Sequence, residues 1–347
     1  MDIRENVSLS ELTTFRTGGP ARFLITLSSA SELPDAREFA KRHELPIIPI
    51  GEGSNMLADD RGVKAVFVRL LSNAVAVEDT SDSVTLWVDA GHSWDALALR
   101  AADEGWWGIE NLTAIPGTAG AAVVQNIGAY GAVIGDSIVS VDAYDLFSGE
   151  QKKFSRADIG FGYRTSVFKK ELDRYFIHRV IFTLAKGATP RITYRDLAAH
   201  FAHSKEEPTL KAIRSAVAHI RAKKFPPLAE YGTAGSFFLN PVLPEAEARR
   251  IKEKFPTMPL FPLPEGGTKV PLAWILDHAL FLKGKREGSA FLWPAQALVI
   301  ATEQDASSDS VLALAHAVQE EVKNKTGIEI SPEVRILSFE KKYARKN

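Results

Sequence analysis

Hydrophobic and polar positions alternate over residues 21–27 and predict a first strand. The pattern that follows predicts a helix capped by Ser31 and reaching about His43. Short apolar runs at 47–50 and 65–69 predict two more strands, with a glycine turn between them. The order strand, helix, strand, turn, strand indicates a compact first α/β unit.

A change of pattern near Leu71 indicates a second unit. Strands are predicted at 84–89, 138–147 and 176–184, because apolar and β-branched residues recur there. Helical spacing predicts helices that begin at Ser93, Asp196 and Thr209 and end near Glu104, Phe201 and Lys224. The pair Pro226-Pro227 stops the last helix and marks a domain boundary.

A third unit follows this boundary. Helices are predicted at 244–255, at 271–278 and from Ser307 or Ser308 to about Lys325, where Gly327 ends the helix. A short strand is predicted at 297–300 and a terminal strand at 328–337, which we expect to return to the first unit. The basic tail at 341–346 is interpreted as a solvated end.

Two glycine-rich turns suggest a phosphate-bearing cofactor. The segment 50–57 reads IGEGSNML and follows a predicted strand, and the segment 115–131 reads IPGTAGAAVVQNIGAYG. Glycines let backbone N–H groups approach an anion closely. Two such turns suggest one elongated cofactor with a pyrophosphate at its centre. Either turn alone could be a tight connection, and neither fits the common dinucleotide or P-loop motifs.

Composition narrows the function classes. The chain has 347 residues, 45% hydrophobic and 24% charged, which is enough for two or three globular domains. A formal net charge of −1 argues against a nucleic-acid partner. The absence of cysteine excludes disulfides, Cys-ligated metals and a cysteinyl-flavin bond. No signal peptide or membrane-spanning run is recognisable, so a cytoplasmic protein without membrane contact is expected.

Three side chains are candidates for chemistry. Arg164, beside Gly162, could clamp a carboxylate or a phosphate; it could also be an ordinary ion-paired arginine. Ser236, between Gly235 and two phenylalanines, could donate a proton, or its hydroxyl could be satisfied within its own turn. Glu333 follows Pro332 among apolar neighbours, and the alternative to a functional role is an ion pair with Arg335 on the same strand face.

Other charged groups are less specific. Arg221 and Lys224 close a predicted helix, where they could clamp a diphosphate or merely complement the helix dipole. His200 and His203 have no third ligand nearby in sequence, so no metal is predicted.

Six motifs in this order resemble the UDP-N-acetylenolpyruvoylglucosamine reductase (MurB) family of bacterial cell-wall synthesis. They span residues 14–336 and read TFRTGGPA, IPIGEGSNML, GIENLTAIPGTAGAAVVQNIGAYG, FGYRTSVFK, GSFFLNP and SPEVRI. The resemblance implies an α+β protein with the FAD-binding fold of the vanillyl-alcohol oxidase (PCMH) type. It implies FAD-binding subdomains at 1–70, joined by the C-terminal segment 327–347, and at 71–225, and a substrate-binding domain at 226–326.

The resemblance also implies the chemistry. NADPH would reduce non-covalently bound FAD, which would then reduce the enolpyruvyl group of UDP-N-acetylglucosamine enolpyruvate to give UDP-N-acetylmuramate for peptidoglycan. Arg164 and Glu333 match the residues that support the developing negative charge, and Ser236 matches the general acid. A monomer is expected. The flavin contacts that the resemblance implies are Ile50, Gly51, Glu52, Gly53, Ser54, Asn55, Asn111, Ile115, Pro116, Gly117, Gly120, Ala121, Gln125, Asn126, Gly128, Ala129, Tyr130 and Arg164.

Substrate contacts follow from the same resemblance. Tyr194 matches the tyrosine of a closing loop found in type I members, so the chain is placed in type I. The other matched positions are Arg221, Lys224, Asn240 and Gln296. This sequence departs from the family pattern in two places. The segment Trp293-Pro294-Ala295-Gln296-Ala297-Leu298 stands where family members usually have His and a more polar lead-in. Ser331 stands where an acidic residue commonly precedes the Pro-Glu pair.

Two other functions fit the same scaffold. An oxidase or dehydrogenase acting on another substrate would not need Arg164, Ser236 and Glu333 together. A catalytically silent UDP-sugar sensor would have lost at least one of the three, and all are present.

Overall fold

A computed structural model describes residues 1–263 and 266–339. The end of the predicted segment 327–347, with the basic tail at 341–346, lies outside the described residues.

The strands of the described chain form three main sheets, one small three-stranded sheet and two strand pairs. Their bounds are β1 Asp2–Ser8, β2 Pro20–Leu27, β3 Ile47–Pro49, β4 Met56–Ala58, β5 Val63–Leu70, β6 Val75–Asp79, β7 Ser83–Asp89, β8 Gly128–Ala129, β9 Ala132–Val133, β10 Ile138–Asp145, β11 Gln151–Ser155, β12 Tyr175–Ala185, β13 Gly232–Ser236, β14 Val242–Leu243, β15 Phe261–Pro262, β16 Thr268–Lys269, β17 Arg286–Glu287, β18 Ala290–Trp293, β19 Gln296–Thr302 and β20 Arg335–Leu337.

The helices of the described chain range from one turn to five. Their bounds are α1 Leu33–Arg42, α2 Trp94–Asp103, α3 Ala119–Val124, α4 Arg156–Ile159, α5 Val167–Lys170, α6 Arg195–Phe201, α7 Leu210–Lys224, α8 Glu245–Lys254, α9 Leu272–Trp274 and α10 Ser308–Thr326.

Sheet topology separates the chain into layers. The first sheet has the order β1-β2-β5-β3, with β2, β5 and β3 parallel to one another. The second has the order β11-β10-β12-β7-β6 and the third β13-β19-β18-β17, and both are antiparallel. One hydrophobic cluster is shared by the first two sheets, and another packs the third sheet against α10.

Most of the predicted elements are present, with bounds that differ by a few residues. Thr209 and Ser307 cap α7 and α10, as their positions predicted. The prediction that Ser31 caps the first helix was wrong. Ser29 caps the short 3₁₀ turn Ala30–Glu32 that leads into α1, because its hydroxyl accepts the Ser31 N–H while the Glu32 carboxylate accepts the Ser29 N–H. The N-cap position of α1 itself is Glu32, which makes no side-chain capping bond.

The terminal strand is shorter than predicted. Only β20 pairs as a strand, parallel to β4, so the chain end does return to the first unit. Residues before it bond elsewhere: Ser331 O accepts the Leu239 N–H, and the Glu333 N–H donates to Phe237 O at 2.8 Å. Pro332 has no N–H to give to a ladder, which favours this change of partner. As a result the third unit and the chain end meet beside β13.

Candidate active site

The two glycine-rich turns line one cavity of about 460 Å³. Its wall also includes Arg164, Ser236 and Glu333, which come from three distant parts of the chain. A volume in this range is typical of a cofactor or substrate site.

Direct hydrogen bonds join the two turns. The Gly117 N–H donates to Glu52 Oε2 at 2.8 Å, and Ser54 Oγ donates to Pro116 O at 3.0 Å. Burial raises the pKa of Glu52, and the bond from Gly117 partly opposes this shift. The turns therefore form one continuous surface.

Glycine is required at the closest approaches of these turns. Gly53 has a left-handed φ of +62°, and a Cβ there would lie 2.0 Å from Leu12 O. A Cβ on Gly51 would lie 2.8 Å from Thr118 Oγ1. A side chain at either position would push the turns out of place.

Arg164 is fixed from two sides. Its backbone is left-handed, with φ of +52°, and its guanidinium donates to Gly128 O and, at 3.4 Å, to Asn126 O. Nε lies 3.2 Å from Glu333 Oε1. A Cβ on Gly128 would approach Arg164 Nη1 to 2.8 Å, so the glycine makes room for this arginine.

Glu333 is held by its backbone while its carboxyl faces Arg164. Asn55 Nδ2 donates to its carbonyl at 3.3 Å, which ties it to the first glycine turn. Burial raises the pKa of the Glu333 carboxyl, and the charges of Arg164 and Lys169 partly oppose the shift. The alternative pairing with Arg335 is wrong, because Arg335 pairs with Asp173 instead.

Ser236 ends β13 at an irregularity in the ladder with β19. Gly235 before it is left-handed, with φ of +74°, so the strand turns there and Ser236 reaches the cavity wall. Among the described residues the Ser236 hydroxyl has no hydrogen-bond partner. The alternative of a hydroxyl satisfied within its own turn is therefore wrong for this structure.

Most of the predicted flavin contacts lie on the cavity wall. They are Ile50, Gly51, Glu52, Gly53, Ser54, Asn55, Ile115, Pro116, Gly117, Gly120, Ala121, Gln125, Gly128, Ala129 and Arg164.

Asn111, Asn126 and Tyr130 are not on this wall, and their contact with the flavin stays a prediction. Asn111 Nδ2 donates to Tyr130 O at 2.7 Å, and the Asn126 amide bonds Gly162 O and the Gly135 N–H. Tyr130 is buried, which raises its pKa to about 12. Asn111 Nδ2 and the Asn126 amide therefore brace the glycine stretch from behind.

Of the predicted substrate contacts, Arg221 is on the wall, and its Nε donates to Ala114 O at 3.0 Å. Tyr194, Lys224, Asn240 and Gln296 are not on this wall, and their contact with the substrate stays a prediction. Lys224 is paired with Asp196, and the Asn240 amide donates to the Tyr163 hydroxyl at 3.1 Å.

The remaining two predicted substrate contacts are Tyr194, at the surface, and Gln296, at the start of a strand. Tyr194 is 46% exposed, with its ring 5.3 Å from that of Tyr130. Gln296 begins β19 opposite Trp293.

Lys169 was missed as a site residue by sequence reasoning, although it ends the FGYRTSVFK motif. It lies on the cavity wall, and its Nζ donates to Gln125 Oε1 at 2.9 Å. The sequence signal that could have indicated Lys169 is its spacing of three residues from Ser166. Ser166 caps α5, and its hydroxyl bonds to Val124 O and so holds the helix against the second glycine turn.

The wall suits an anionic cofactor such as FAD. Four of its side chains are cationic, Arg164, Lys169, Arg221 and Arg335, against three acidic ones, Glu52, Asp173 and Glu333. With the glycine turns that a Cβ would block, the residues present fit a dinucleotide with a diphosphate.

Two kinds of feature are absent from the described ranges 1–263 and 266–339. They contain no cluster of three His, Cys, Asp or Glu side chains placed to hold a metal ion. No helix among them has the length and apolar character needed to cross a membrane.

Two family models match the chain. Residues 21–155 match the FAD binding domain, and residues 226–337 match the C-terminal domain of UDP-N-acetylenolpyruvoylglucosamine reductase.

Curated relatives match over nearly the full length. The UDP-N-acetylenolpyruvoylglucosamine reductase of Pseudomonas aeruginosa is 35% identical over 335 residues, 96% of this chain and 98% of the relative. The enzyme of the same name from Escherichia coli is 35% identical over 338 residues, 96% of each chain. Among solved structures, UDP-N-acetylenolpyruvylglucosamine reductase from Thermus caldophilus has a TM-score of 0.69 at 24% identity, covering 97% of this chain and 100% of that one.

Proposed function

The chain belongs to the UDP-N-acetylenolpyruvoylglucosamine reductase (MurB) family, and on that premise we propose that Arg164, Ser236 and Glu333 carry out its chemistry. The protein is an FAD-dependent oxidoreductase with the PCMH-type fold. It reduces UDP-N-acetyl-3-O-(1-carboxyvinyl)glucosamine to UDP-N-acetylmuramate with NADPH as the electron donor, in peptidoglycan precursor synthesis. The oxidase and sensor alternatives are not retained.

One observation supports this assignment most strongly. Arg164, Ser236 and Glu333 line the same cavity as both glycine turns, although each comes from a different region of the chain. FAD, held by the two glycine turns, would supply hydride transfer from NADPH to C3 of the enolpyruvyl group.

Arg164 and Glu333 bind and stabilise the reacting end of the substrate in this proposal. Hydride addition at C3 leaves negative charge that spreads from C2 onto the substrate carboxylate. The Arg164 guanidinium is held by Gly128 O and Glu333, so it is already oriented to receive that charge. The raised pKa of Glu333 allows it to hold a proton beside this anion.

Ser236 delivers the proton to C2. Its hydroxyl has no partner among the described residues, so it is free to bond to the substrate. A serine hydroxyl is a weak acid, and the transfer requires a strongly basic carbanion and close alignment. The bend at Gly235 supports such alignment because it directs Ser236 into the cavity.

Arg221 is proposed to bind the anionic part of the substrate from the cavity wall. We extend the proposal to Tyr194, Lys224, Asn240 and Gln296, which would contact the UDP portion after a rearrangement. The exposure of Tyr194 and its position one residue before α6 support a closing segment of type I.

The experiment that tests the assignment separates the two half-reactions. Purified holoenzyme is reduced anaerobically with NADPH, and the enolpyruvyl substrate is then added while the flavin absorbance is recorded. Ser236→Ala, Arg164→Lys and Glu333→Gln should accept electrons from NADPH but return them to substrate slowly. Normal reoxidation in all three variants would overturn the proposed site.

We infer three domains with the bounds given above, a monomer, and a cytoplasmic location. The boundary at 226 is supported by the separate hydrophobic cluster of the third sheet and by the family match that begins there. The location is supported by the use of NADPH. Light scattering and cell fractionation test the last two.

A further inference from the structure

Residues 12–16, here called the linking segment, lie between the first glycine turn and the third sheet. A Cβ on Gly53 would lie 2.0 Å from Leu12 O, and a Cβ on Gly232 would lie 2.1 Å from Phe15 O. Gly232 begins β13, the strand that ends at the proposed proton donor. A larger residue at either glycine would collide with the backbone of the segment. The linking segment therefore touches the cofactor turn on one side and β13 on the other.

Thr14 makes hydrogen bonds to both of these neighbours. Its N–H donates to Gly53 O at 3.3 Å, and its carbonyl accepts the Thr233 N–H at 2.9 Å. Its hydroxyl donates to Thr233 O at 2.6 Å, so Thr14 and Thr233 exchange two hydrogen bonds. One residue thus joins the backbone of the glycine turn to the backbone of β13.

Thr233 continues this connection towards Ser236. Thr233 is buried, and its hydroxyl accepts the Gly235 N–H at 3.1 Å while donating to Ile300 O at 2.8 Å. Gly235 is the left-handed residue that turns the strand so that Ser236 reaches the cavity wall. A hydrogen-bonded path therefore runs from the glycine turn through Thr14 and Thr233 to the bend before the proposed proton donor.

Packing acts on the residue that follows Ser236. The Phe15 and Phe237 side chains are fully buried, and their rings meet edge to face with 6.2 Å between centroids. Thr302 Oγ1 donates to Phe15 O at 3.1 Å, which fixes the segment against β19. Close-packed interiors transmit a displacement rather than absorb it. A shift of the linking segment should therefore reach both Gly235 and Phe237, the two neighbours of Ser236.

We propose that Thr14 is a positioning residue for the reaction: through its bonds to Thr233 it holds the Ser236 hydroxyl in register with the first glycine turn. Thr14 is not on the wall of the glycine-lined cavity, so it does this without touching the substrate. Alignment governs proton transfer strongly, since a misplacement of about 1 Å can lower a rate by roughly 100-fold. The inference rests on the proposed role of Ser236 as the general acid.

Thr14→Val tests the inference because it removes the hydroxyl bond to Thr233 and keeps the size and the backbone of the residue. Single-turnover reoxidation of NADPH-reduced holoenzyme by the enolpyruvyl substrate should slow by about 2- to 10-fold, the effect of one neutral hydrogen bond. Flavin reduction by NADPH should stay at the parent rate. Thr14→Ser retains the hydroxyl and should reoxidise at the parent rate. Thr326→Val removes the hydroxyl bond to Val322 O in α10, and this matched loss of a buried threonine bond should leave both rates unchanged.

Combination with Ser236→Ala distinguishes positioning from a general structural role. If Thr14 acts through Ser236, the double variant should reoxidise no more slowly than Ser236→Ala alone, because no proton donor is left to position. Slowing that multiplies in the double variant, or a parent rate in Thr14→Val, would overturn the inference and leave the role of Ser236 intact. Normal reoxidation in Ser236→Ala would instead remove the proposed general acid, and this inference with it.

Hydrogen exchange in the flavin-free protein supplies a readout that does not depend on turnover. The amides of Thr233 and Gly235 should exchange faster by about 2- to 10-fold in Thr14→Val, because their acceptors Thr14 O and Thr233 Oγ1 are less firmly held. Thr14→Ser and Thr326→Val should keep the parent exchange at both amides. Parent-like exchange in Thr14→Val would contradict the path from the linking segment to the bend at Gly235, and the inference would be overturned.

Discussion

Arg164 and Glu333 form an ion pair with 3.2 Å between Nε and Oε1, and both side chains lie on the wall of the glycine-lined cavity. The arginine is left-handed and braced by Gly128, and the glutamate is tied to the first glycine turn through Asn55. The pair therefore connects the cofactor surface with the proposed reacting groups. A substitution in the cofactor surface should therefore alter the proposed reacting groups, and the reverse should also hold.

Ser236→Ala should separate the two half-reactions. NADPH should reduce the flavin at the normal rate, while reoxidation by the enolpyruvyl substrate should slow by roughly 10²- to 10⁴-fold, the usual contribution of a general acid. Stopped-flow absorbance measures both rates. Ser204→Ala, an exposed loop change, is the control. Equal slowing of both half-reactions in Ser236→Ala would contradict a role specific to proton donation.

Gly128→Ala should weaken the position of Arg164. The new Cβ would lie 2.8 Å from both Arg164 Nη1 and Val133 Cγ1, so the bond from the guanidinium to Gly128 O should be lost or displaced. Losing one charge-assisted hydrogen bond of about 1.5 to 3 kcal/mol predicts a decrease of roughly 10- to 100-fold in kcat/KM. Gly187→Ala is the matched control, because nothing lies within 4 Å of a Cβ there. Identical kinetics for the two variants would count against the bracing role.

Gly53→Ala should reduce FAD affinity. Its φ of +62° strains any other residue, and its Cβ would lie 2.0 Å from Leu12 O, so the first turn must move. A strain of about 1 to 3 kcal/mol predicts a loss of roughly 5- to 150-fold in affinity. Titration of flavin-free protein with FAD, followed by the quenching of flavin fluorescence, measures it. Gly187→Ala again serves as the control, and wild-type affinity in Gly53→Ala would show that the turn does not carry the cofactor.

Asp196 and Lys224 should affect substrate binding in opposite directions. Asp196→Asn releases Lys224 from its ion pair and should lower KM by about two- to fivefold, the range expected for a partly exposed pair worth roughly 0.4 to 1 kcal/mol. Lys224→Ala should raise KM. Asp103→Asn, which breaks the exposed pair with Lys211, is the control. If both Asp196→Asn and Lys224→Ala leave KM unchanged, Lys224 does not contact the substrate.

Stability should depend on pH through Glu333. Burial raises the pKa of its carboxyl in the folded protein, so folding favours the protonated form. The free energy of unfolding should therefore be highest below the unfolded value of about 4.3 and should decrease as the pH rises through the raised folded value. Glu333→Gln should make this decrease smaller in thermal melts of flavin-free protein.

Glu329→Gln is the opposite control for that measurement. Glu329 is exposed, and Lys323 lowers its pKa, so its small contribution is present at higher pH and is lost on acidification. A pH profile that is the same in Glu333→Gln and in the parent would mean that the carboxyl is not perturbed.

Local patterns predicted much of the fold. The caps Thr209 and Ser307, the proline stop at 226–227 and the glycine turns are short-range signals, so they could be read without tertiary information. The ion-pair partner of Glu333 could not be predicted from such short-range signals. Sequence spacing favoured Arg335, but that arginine pairs with Asp173, which lies 162 residues away in the chain, between α5 and β12.

The same limit explains the other differences. Lys169 appears in the sequence as one of two adjacent lysines, and only the docking of α5 against Val124 distinguishes it from the exposed Lys170. Asn126 fits a cofactor contact by motif, yet its amide is satisfied by Gly162 and Gly135. Which polar atoms remain free for a ligand is decided by long-range contacts.

The pairing of β20 with β4 sets the order in which the site can form during biosynthesis. Both glycine turns, Arg164 and Ser236 leave the ribosome well before Glu333 and its strand. A nascent chain therefore carries the cofactor surface while its acidic partner is still inside the exit tunnel, and the cation of Arg164 has no Glu333 to meet. The complete site can form only after Glu333 and β20 have been synthesised, because β20 has to pair with β4, which lies far earlier in the chain.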